Sequence, residues 1–220
     1  MNINRNHIIK IFPKHSKILN LINNIPLFFE YIKQNETMGM VKIDTNRFEV
    51  FDHIINGIKN PIDFFEFGVF KGDVIKYWAK NINNSSKFFG FDSFEGLPED
   101  FEGNTPQGFF STNGKIPDTD DDRITFIKGW FNDTLPEFLK VYDSNNNKVI
   151  HMDADLYPST LFVLTQMHSY LKKDDIIIFD EFGNTLHEFR AWCDYTNAYN
   201  VKFETLVSYR NFTKVAFRIL

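Results

Sequence analysis

The sequence holds a single cysteine, Cys193, which excludes both an internal disulfide framework and a Cys-rich zinc site. It has no basic excess. The net charge is -5 and the pI about 5.7, whereas a generic nucleic-acid binder carries a surplus of Lys and Arg. No apolar run approaches the roughly 18–20 residues of a membrane span. The polar N-terminus, MNINRNHIIKIFPKHSK, has neither the apolar stretch nor the cleavage site of a secretory signal. A cytoplasmic protein with no nucleic-acid partner and no membrane span is therefore expected. Internal repeats and a GxGxxG dinucleotide fingerprint are also missing. Tyr and Trp are scarce, eight and three against 26 Phe, so there is much ring area to bury and few polar tips to satisfy.

What is present reads as one domain over residues 1–220, long enough to bury a full core. Residues 1–58 form an N-terminal helical extension. Ile18, Leu19, Leu21, Ile22 and Ile25 recur at helical spacing until Pro26, which is expected to interrupt them. A second helix starts after Thr45 with Phe48, Phe51, Ile54 and Ile55 on one face. From residue 61 short apolar runs alternate with helical stretches. The runs are Asp63–Phe67, Phe88–Phe91, Ile124–Ile127, Val149–Met152 and Ile176–Phe179; the helices lie near 71–82, 134–142, 158–171 and 186–198. Such alternation indicates an α/β fold with a parallel sheet covered by helices on both faces. Lys202–Tyr209 and Thr213–Leu220 are separated by only Arg210, Asn211 and Phe212, which predicts a β-hairpin rather than another crossover. The result is a mostly parallel, seven-stranded sheet closed by a C-terminal antiparallel hairpin.

Residues 93–122 have little periodicity. They contain Gly96, Gly103, Gly108, Gly114 and the acidic cluster Asp118, Asp120, Asp121 and Asp122. A loop of this length inside a compact domain is usually functional. It is a candidate lid, with Phe109 and Phe110 on it and Asp100, Glu102 and the acidic run as solvated residues.

In open α/β sheets ligands bind beyond the carboxyl ends of the strands. After the first strand comes Glu66-Phe67-Gly68-Val69-Phe70-Lys71-Gly72. Gly68 permits close backbone approach to a ligand and Gly72 can open the following helix, whose N-terminus favours an anion. After the second strand comes Asp92, twenty residues beyond Gly72, placed to accept hydrogen bonds from ribose hydroxyls. Glycine turn and acid together favour an adenosine-containing cofactor. After the fourth strand comes His151-Met152-Asp153-Ala154-Asp155, and after the fifth Asp180-Glu181. Carboxylates converging there repel and raise one another's pKa. A hard divalent cation relieves this, and oxygen-only ligands suit Mg²⁺ better than zinc.

At these residues the sequence resembles the macrocin O-methyltransferase family, enzymes that use S-adenosylmethionine and Mg²⁺ to methylate sugar hydroxyls. The matching blocks run in order from residue 61 to 185. They include Phe91-Asp92-Ser93-Phe94-Glu95-Gly96-Leu97-Pro98, Lys128-Gly129-Trp130-Phe131-Asn132-Asp133-Thr134-Leu135-Pro136, Met152-Asp153-Ala154-Asp155-Leu156-Tyr157-Pro158-Ser159-Thr160 and Phe179-Asp180-Glu181-Phe182-Gly183. The strand pattern fits the Rossmann-like class I methyltransferase fold. The resemblance implies metal ligands at Asp153, Asp180 and Glu181, the last standing where the family usually has Asp. It implies a general base at Asp155 and cofactor contacts at Glu66, Gly68, Phe70, Gly72, Asp92 and Ser93, with Gly129 and Trp130 near the adenine. His151 and His187 are weaker candidates for the base.

The implied partner is a small-molecule or glycan hydroxyl acceptor, and a homodimer is compatible with the family. The implied reaction is methyl transfer to a hydroxyl. Two other readings stay open. Asp153-x-Asp155 after an apolar strand also resembles a haloacid-dehalogenase-type phosphatase, with the first Asp as nucleophile. A non-catalytic cofactor-binding protein of the same fold is the other. Phe67, Phe70, Phe94, Phe131, Phe179 and Phe182 flank the motifs and are expected to wall the pocket.

Overall fold

The computed structural model describes residues 15–36, 40–82, 85–101 and 105–220. The stretch before His15 lies outside the described residues, as do Glu102 and Gly103 of the candidate lid. In chain order the elements are α1 (His15–Glu36), β1 (Val41–Ile43), α2 (Phe48–Gly57), β2 (Ile62–Phe67), α3 (Asp73–Asn81), β3 (Lys87–Asp92) and β4 (Ile124–Lys128). There follow α4 (Phe131–Val141), β5 (Asn147–Met152), α5 (Tyr157–Met167) with a 3-10 turn (His168–Tyr170), β6 (Ile176–Phe179), α6 (Glu188–Tyr199), β7 (Phe203–Tyr209) and β8 (Lys214–Ile219).

The strands form one sheet in the order β1-β7-β8-β6-β5-β2-β3-β4. Pairings are parallel except where β8 inserts antiparallel between β6 and β7. All six residues of β2 are buried, as a strand covered on both faces requires. Side-chain alternation divides the core in two. Phe65, Phe67, Phe91, Ile150, Met152, Ile177 and Phe179 face α1, α4, α5 and α6, where Leu135, Val163, Met167, Phe189 and Trp192 meet them. Phe64, Phe88, Val149, Ile178 and Ala216 face α2 and α3, against Phe51, Ile54, Ile75 and Trp78. The phenylalanine surplus is spent mainly here: Phe64 stacks on Trp78 at 4.7 Å, and Phe217 on Trp192 at 4.6 Å.

Two local expectations give way. Helix α1 runs straight through Pro26. A mid-helix proline removes a hydrogen bond and crowds the preceding turn. Here the helix is held before the proline by Asn24 donating to the Thr185 carbonyl at 2.8 Å, and beyond it by buried Phe28 and by Tyr31 and Ile32 against the same core. The N-terminal extension also contributes a strand, so the sheet has eight strands rather than seven. β1 pairs parallel with β7, Val41 beside Val207 and Ile43 beside Tyr209. Three residues give too short a pattern to register as a strand.

The C-terminal hairpin forms as expected, with a register slip between Thr205 and Val207. Its turn passes through a left-handed run at Arg210, Asn211 and Phe212 (φ 38, 51 and 64°). Because β8 is antiparallel, its first residue stands at the carboxyl end of β6, among the loops that carry the site.

Candidate active site

The glycine turn after β2 is built around two close approaches. Gly68 (φ +97°) donates its N–H to the Phe91 carbonyl at 3.0 Å. A Cβ placed on it would stand 1.9 Å from the carbonyl oxygen of Asp153, so only glycine lets the end of β2 pass β5 at this point. Gly72 (φ +77°) closes the turn through its N–H to the Val69 carbonyl and caps α3. Asp92, at the end of β3, locks the turn. One carboxylate oxygen accepts the N–H groups of Val69 and Phe70, each at 2.8 Å, and the other accepts that of Phe94 at 2.7 Å. A carboxylate has about four acceptor positions, so three of Asp92's are taken by backbone and about one remains for a ribose hydroxyl. Gly129 (φ +145°) donates to the Asp92 carbonyl at 2.9 Å and leads into Trp130, the N-cap of α4. The Ser93 hydroxyl accepts the Glu95 N–H at 3.1 Å, turning the chain into the candidate lid.

The carboxylates share a cavity with the turn. Asp153, Asp155, Asp180 and Glu181 all line one cavity of about 690 Å³, together with Gly68, Phe70, Asp92, Ser93 and Trp130. Burial and the Asp180 charge push the Asp153 carboxyl well above the usual range. Burial, then Glu181 and Asp180, raise Asp155 to about 7. Asp155 also holds a left-handed conformation (φ +56°). Partial burial and Asp180 raise Glu181 as well. Asp180 goes the opposite way: burial would raise it, but His151 and Lys214 hold it far below the ordinary value.

Beneath the cavity floor runs a row of charges of alternating sign. Glu66 faces His151 at 3.4 Å, His151 faces Asp180 at 3.5 Å, and the Lys214 ammonium sits directly on the same Asp180 oxygen. Burial alone would depress the His151 imidazole, but Asp180 and Glu66 prevail and push it up to about 9. Glu188, fully buried at the start of α6, accepts the Glu181 N–H at 2.8 Å and fixes the backbone of that residue.

The structure therefore gathers Gly68, Phe70, Asp92, Ser93, Trp130, Asp153, Asp155, Asp180 and Glu181 around one cavity. Gly72 and Gly129 do not line it: Gly72 caps α3, and Gly129 is bonded to the Asp92 carbonyl. Glu66 does not line it: the side chain is 1% exposed and lies under the sheet end against His151. His187 also stands aside, accepting the Tyr157 N–H at 3.1 Å and packing on Phe101. His151, Asp153 and Asp180 can bring ligand atoms within 4.8 Å of one another.

Of the rings expected to wall the pocket, Phe70 and Phe131 do, while Phe67, Phe94, Phe179 and Phe182 are core. The described part of the lid folds back on itself. Leu97 and Gly108 donate to the carbonyls of Phe109 and Leu97, and Gly96 packs so tightly that a Cβ would stand 2.4 Å from the Gly108 oxygen. Phe110, about half exposed, crosses Phe70 edge-on at 5.6 Å at the cavity rim. Arg47, Glu99, Asn132, Ser159 and Phe162 also line the cavity and were not singled out from sequence. Asn132 and Ser159 stand inside the matching blocks without a role assigned to them, whereas Arg47, Glu99 and Phe162 lie outside those blocks. Lys214 was missed as well, although a lysine entering the apolar run Val215–Phe217 is a signal in itself.

The Asp153-x-Asp155 pair of the phosphatase reading follows β5, after three other parallel strands of the α/β unit, whereas that motif belongs after a first strand.

The comparisons with known proteins agree with the fold and the motifs. Residues 33–217 match the family described as Macrocin-O-methyltransferase (TylF). Among curated relatives, a tetracenomycin-C 4'-O-methyltransferase from Streptomyces olivaceus is 25% identical over 180 residues, covering 70% of this chain and 67% of its own length. The mycinamicin III 3''-O-methyltransferase of Micromonospora griseorubida is 26% identical over 186 residues, covering 70% and 69%. Among solved structures, the calicheamicin methyltransferase CalS11 superposes with a TM-score of 0.59 at 20% identity, over 97% of this chain and 89% of its own. An O-methyltransferase from Bacillus cereus in complex with SAH superposes at 0.52 with 10% identity, over 98% and 96%. With its class I methyltransferase fold, the chain belongs to the macrocin O-methyltransferase family and is an S-adenosylmethionine-dependent O-methyltransferase.

Proposed function

We propose that the protein methylates a hydroxyl of a sugar or glycoside with Mg²⁺ at its carboxylate cluster. The observation that carries this reading is that one cavity is lined by both sets of residues. The glycine turn, Asp92 and Trp130 line it together with Asp153, Asp155, Asp180 and Glu181, and the turn touches the acids where Gly68 meets the Asp153 backbone. Relatives support the acceptor class: one is named for a rhamnosyl tetracenomycin, another for mycinamicin III, and one structure is titled a TDP-rhamnose 3'-O-methyltransferase.

The residues fit both groups. Asp153, Asp180 and Glu181 offer oxygen donors on the cavity wall, with the His151 nitrogen beside Asp153 and Asp180, and carboxylates facing an open cavity suit a hard divalent ion that keeps some of its water. Gly68 adds no side chain to the cavity wall, and the rings of Phe70 and Trp130, which line it, would pack against an adenine. When bound, S-adenosylmethionine supplies the electrophilic methyl group and Mg²⁺ a positive charge for the acceptor oxygen.

Asp92 fixes the turn and keeps about one acceptor position for a ribose hydroxyl. Asp153, Asp180 and Glu181 would hold the metal. Asp155, in the cavity beside them, takes the acceptor's hydroxyl proton as the new C–O bond forms and the methyl–sulfur bond breaks. Asp155 holds a left-handed backbone conformation and lines the cavity. Phe70, Phe110 and Phe131 exclude water around the reacting atoms.

The test is calorimetry with S-adenosylhomocysteine, followed by methyl-transfer assays on nucleotide sugars and neutral glycosides with and without EDTA. Cofactor binding, and turnover that stops on chelation, are expected. No binding at millimolar ligand would sink the reading, and full turnover after chelation would remove the metal from it.

A further inference from the structure

We infer that Lys214 is a built-in counter-cation of the acidic site: it holds Asp180 in place and keeps the carboxylates assembled without a divalent ion. The inference rests on the metal reading above only for its second consequence, the effect on Mg²⁺ affinity.

Register puts the lysine there. β6 and β8 pair antiparallel as Ile178 with Ala216 and Phe179 with Val215, so the next positions outward are Asp180 and Lys214. Both side chains leave the sheet on the face occupied by Ile178 and Ala216. The ammonium, on a residue only 5% exposed, contacts an Asp180 carboxylate oxygen and donates to the Asp180 carbonyl at 3.1 Å. It thus grips one residue at two points, fixing both backbone and carboxylate. His151 lies between Asp180 and Glu66 and has its own acid to balance, and Arg47 lines the cavity and acts on Glu181. Lys214 therefore brings a buried positive charge directly onto Asp180, in a cluster where Asp153, Asp155, Asp180 and Glu181 share one cavity.

A lysine buried this deeply is costly unless paired, and so is the carboxylate it neutralises. Two consequences follow. Removing the charge leaves Asp180 buried and under-compensated, so the metal-free protein loses stability, and removing the Asp180 charge as well restores it. Removing it also leaves the cluster more negative, so a divalent ion binds more tightly. A unit charge at this range changes an ion's affinity by about tenfold or more at the effective dielectric of such sites.

The experiment compares wild type, Lys214→Met, Lys214→Arg and the double variant Asp180→Asn/Lys214→Met. Each is melted with and without millimolar Mg²⁺ and titrated with Mg²⁺ by calorimetry at one pH. Lys214→Met should melt several degrees lower without metal, recover in Mg²⁺, and bind Mg²⁺ about tenfold more tightly than wild type. Lys214→Arg should follow wild type. The double variant should melt above Lys214→Met without metal. Equal melting of Lys214→Met and wild type, or a double variant no more stable than the single, would overturn the proposal. So would Mg²⁺ binding by Lys214→Met no tighter than by a wild type that binds it. If Lys214→Met fails to fold, folding of the double variant supports the proposal and its failure overturns it. If no variant binds Mg²⁺ while the double variant still rescues the single, the metal reading fails and the role of Lys214 stands.

Discussion

Gly68→Ala isolates the contact on which fold and site both depend. The added methyl would stand 1.9 Å from the Asp153 carbonyl oxygen and 2.8 Å from its carbon, and both are backbone atoms that cannot swing away. The position also has φ +97°, which an L side chain adopts only under strain. Strain of this kind costs about 1–3 kcal/mol. Overpacking a tight site costs about 1–3 kcal/mol more. A total near 3–5 kcal/mol, at about 2–4 °C per kcal/mol for a domain of this size, lowers Tm by roughly 6–20 °C. The relief available is to push Asp153 outward or lift the turn off Asp92. Either move spoils the cavity, so affinity for S-adenosylhomocysteine should fall together with stability. Gly57→Ala is the control: a Cβ there meets nothing within 4 Å, and the residue lies in α2, where alanine is preferred to glycine. Thermal melts and calorimetry of both variants decide the matter. A Gly68→Ala protein that melts within a degree of wild type and binds cofactor undiminished would refute the close-approach reasoning.

Two further outcomes are expected. Asp155→Asn should bind S-adenosylhomocysteine as wild type does while losing turnover by two orders of magnitude or more, the usual scale of general-base catalysis at about 10²–10⁴-fold; unchanged turnover would remove Asp155 as the base. Asp121, whose carboxyl is held below its ordinary value by the hydrogen-bonded Arg123 guanidinium, gives a pH signature. A depressed folded pKa contributes stability that is present above the unfolded value and is lost as pH falls through the folded one. Asp121→Asn should therefore cost about 0.5–1 kcal/mol at neutral pH, with the difference from wild type closing in acid; a deficit that persists at low pH would contradict the ion-pair account.

Much of the architecture was legible because its signals are local. Buried strands such as Asp63–Phe67 and Ile176–Phe179 announce themselves as apolar runs between helical stretches, and a three-residue gap at Arg210–Phe212 allows little but a hairpin. The strand-end blocks carried the site in the same way, since carboxyl ends of parallel strands converge whatever the loops do. Where the expectation failed, a non-local term decided. Pro26 does not end α1 because Phe28 is anchored on the core beyond it. Val41–Ile43 becomes a strand only because the edge of β7 is there to pair with it. Phe67, Phe94, Phe179 and Phe182 adjoin motif residues in sequence yet point away from the cavity, because neighbours along a strand or turn face opposite sides.

By itself the sequence determined the α/β class, the hairpin, the glycine turn and the acids that meet beyond the strand ends. These are properties of short segments and of the chirality of strand–helix–strand connections. The tertiary structure alone decided what those residues touch. It turned Asp92 toward three backbone N–H groups, placed Glu66 beneath the cavity rather than in it, and seated Lys214 on Asp180. Each of these is a pairing between residues far apart in the chain, fixed by sheet order and register and by the cost of leaving a buried charge without its opposite.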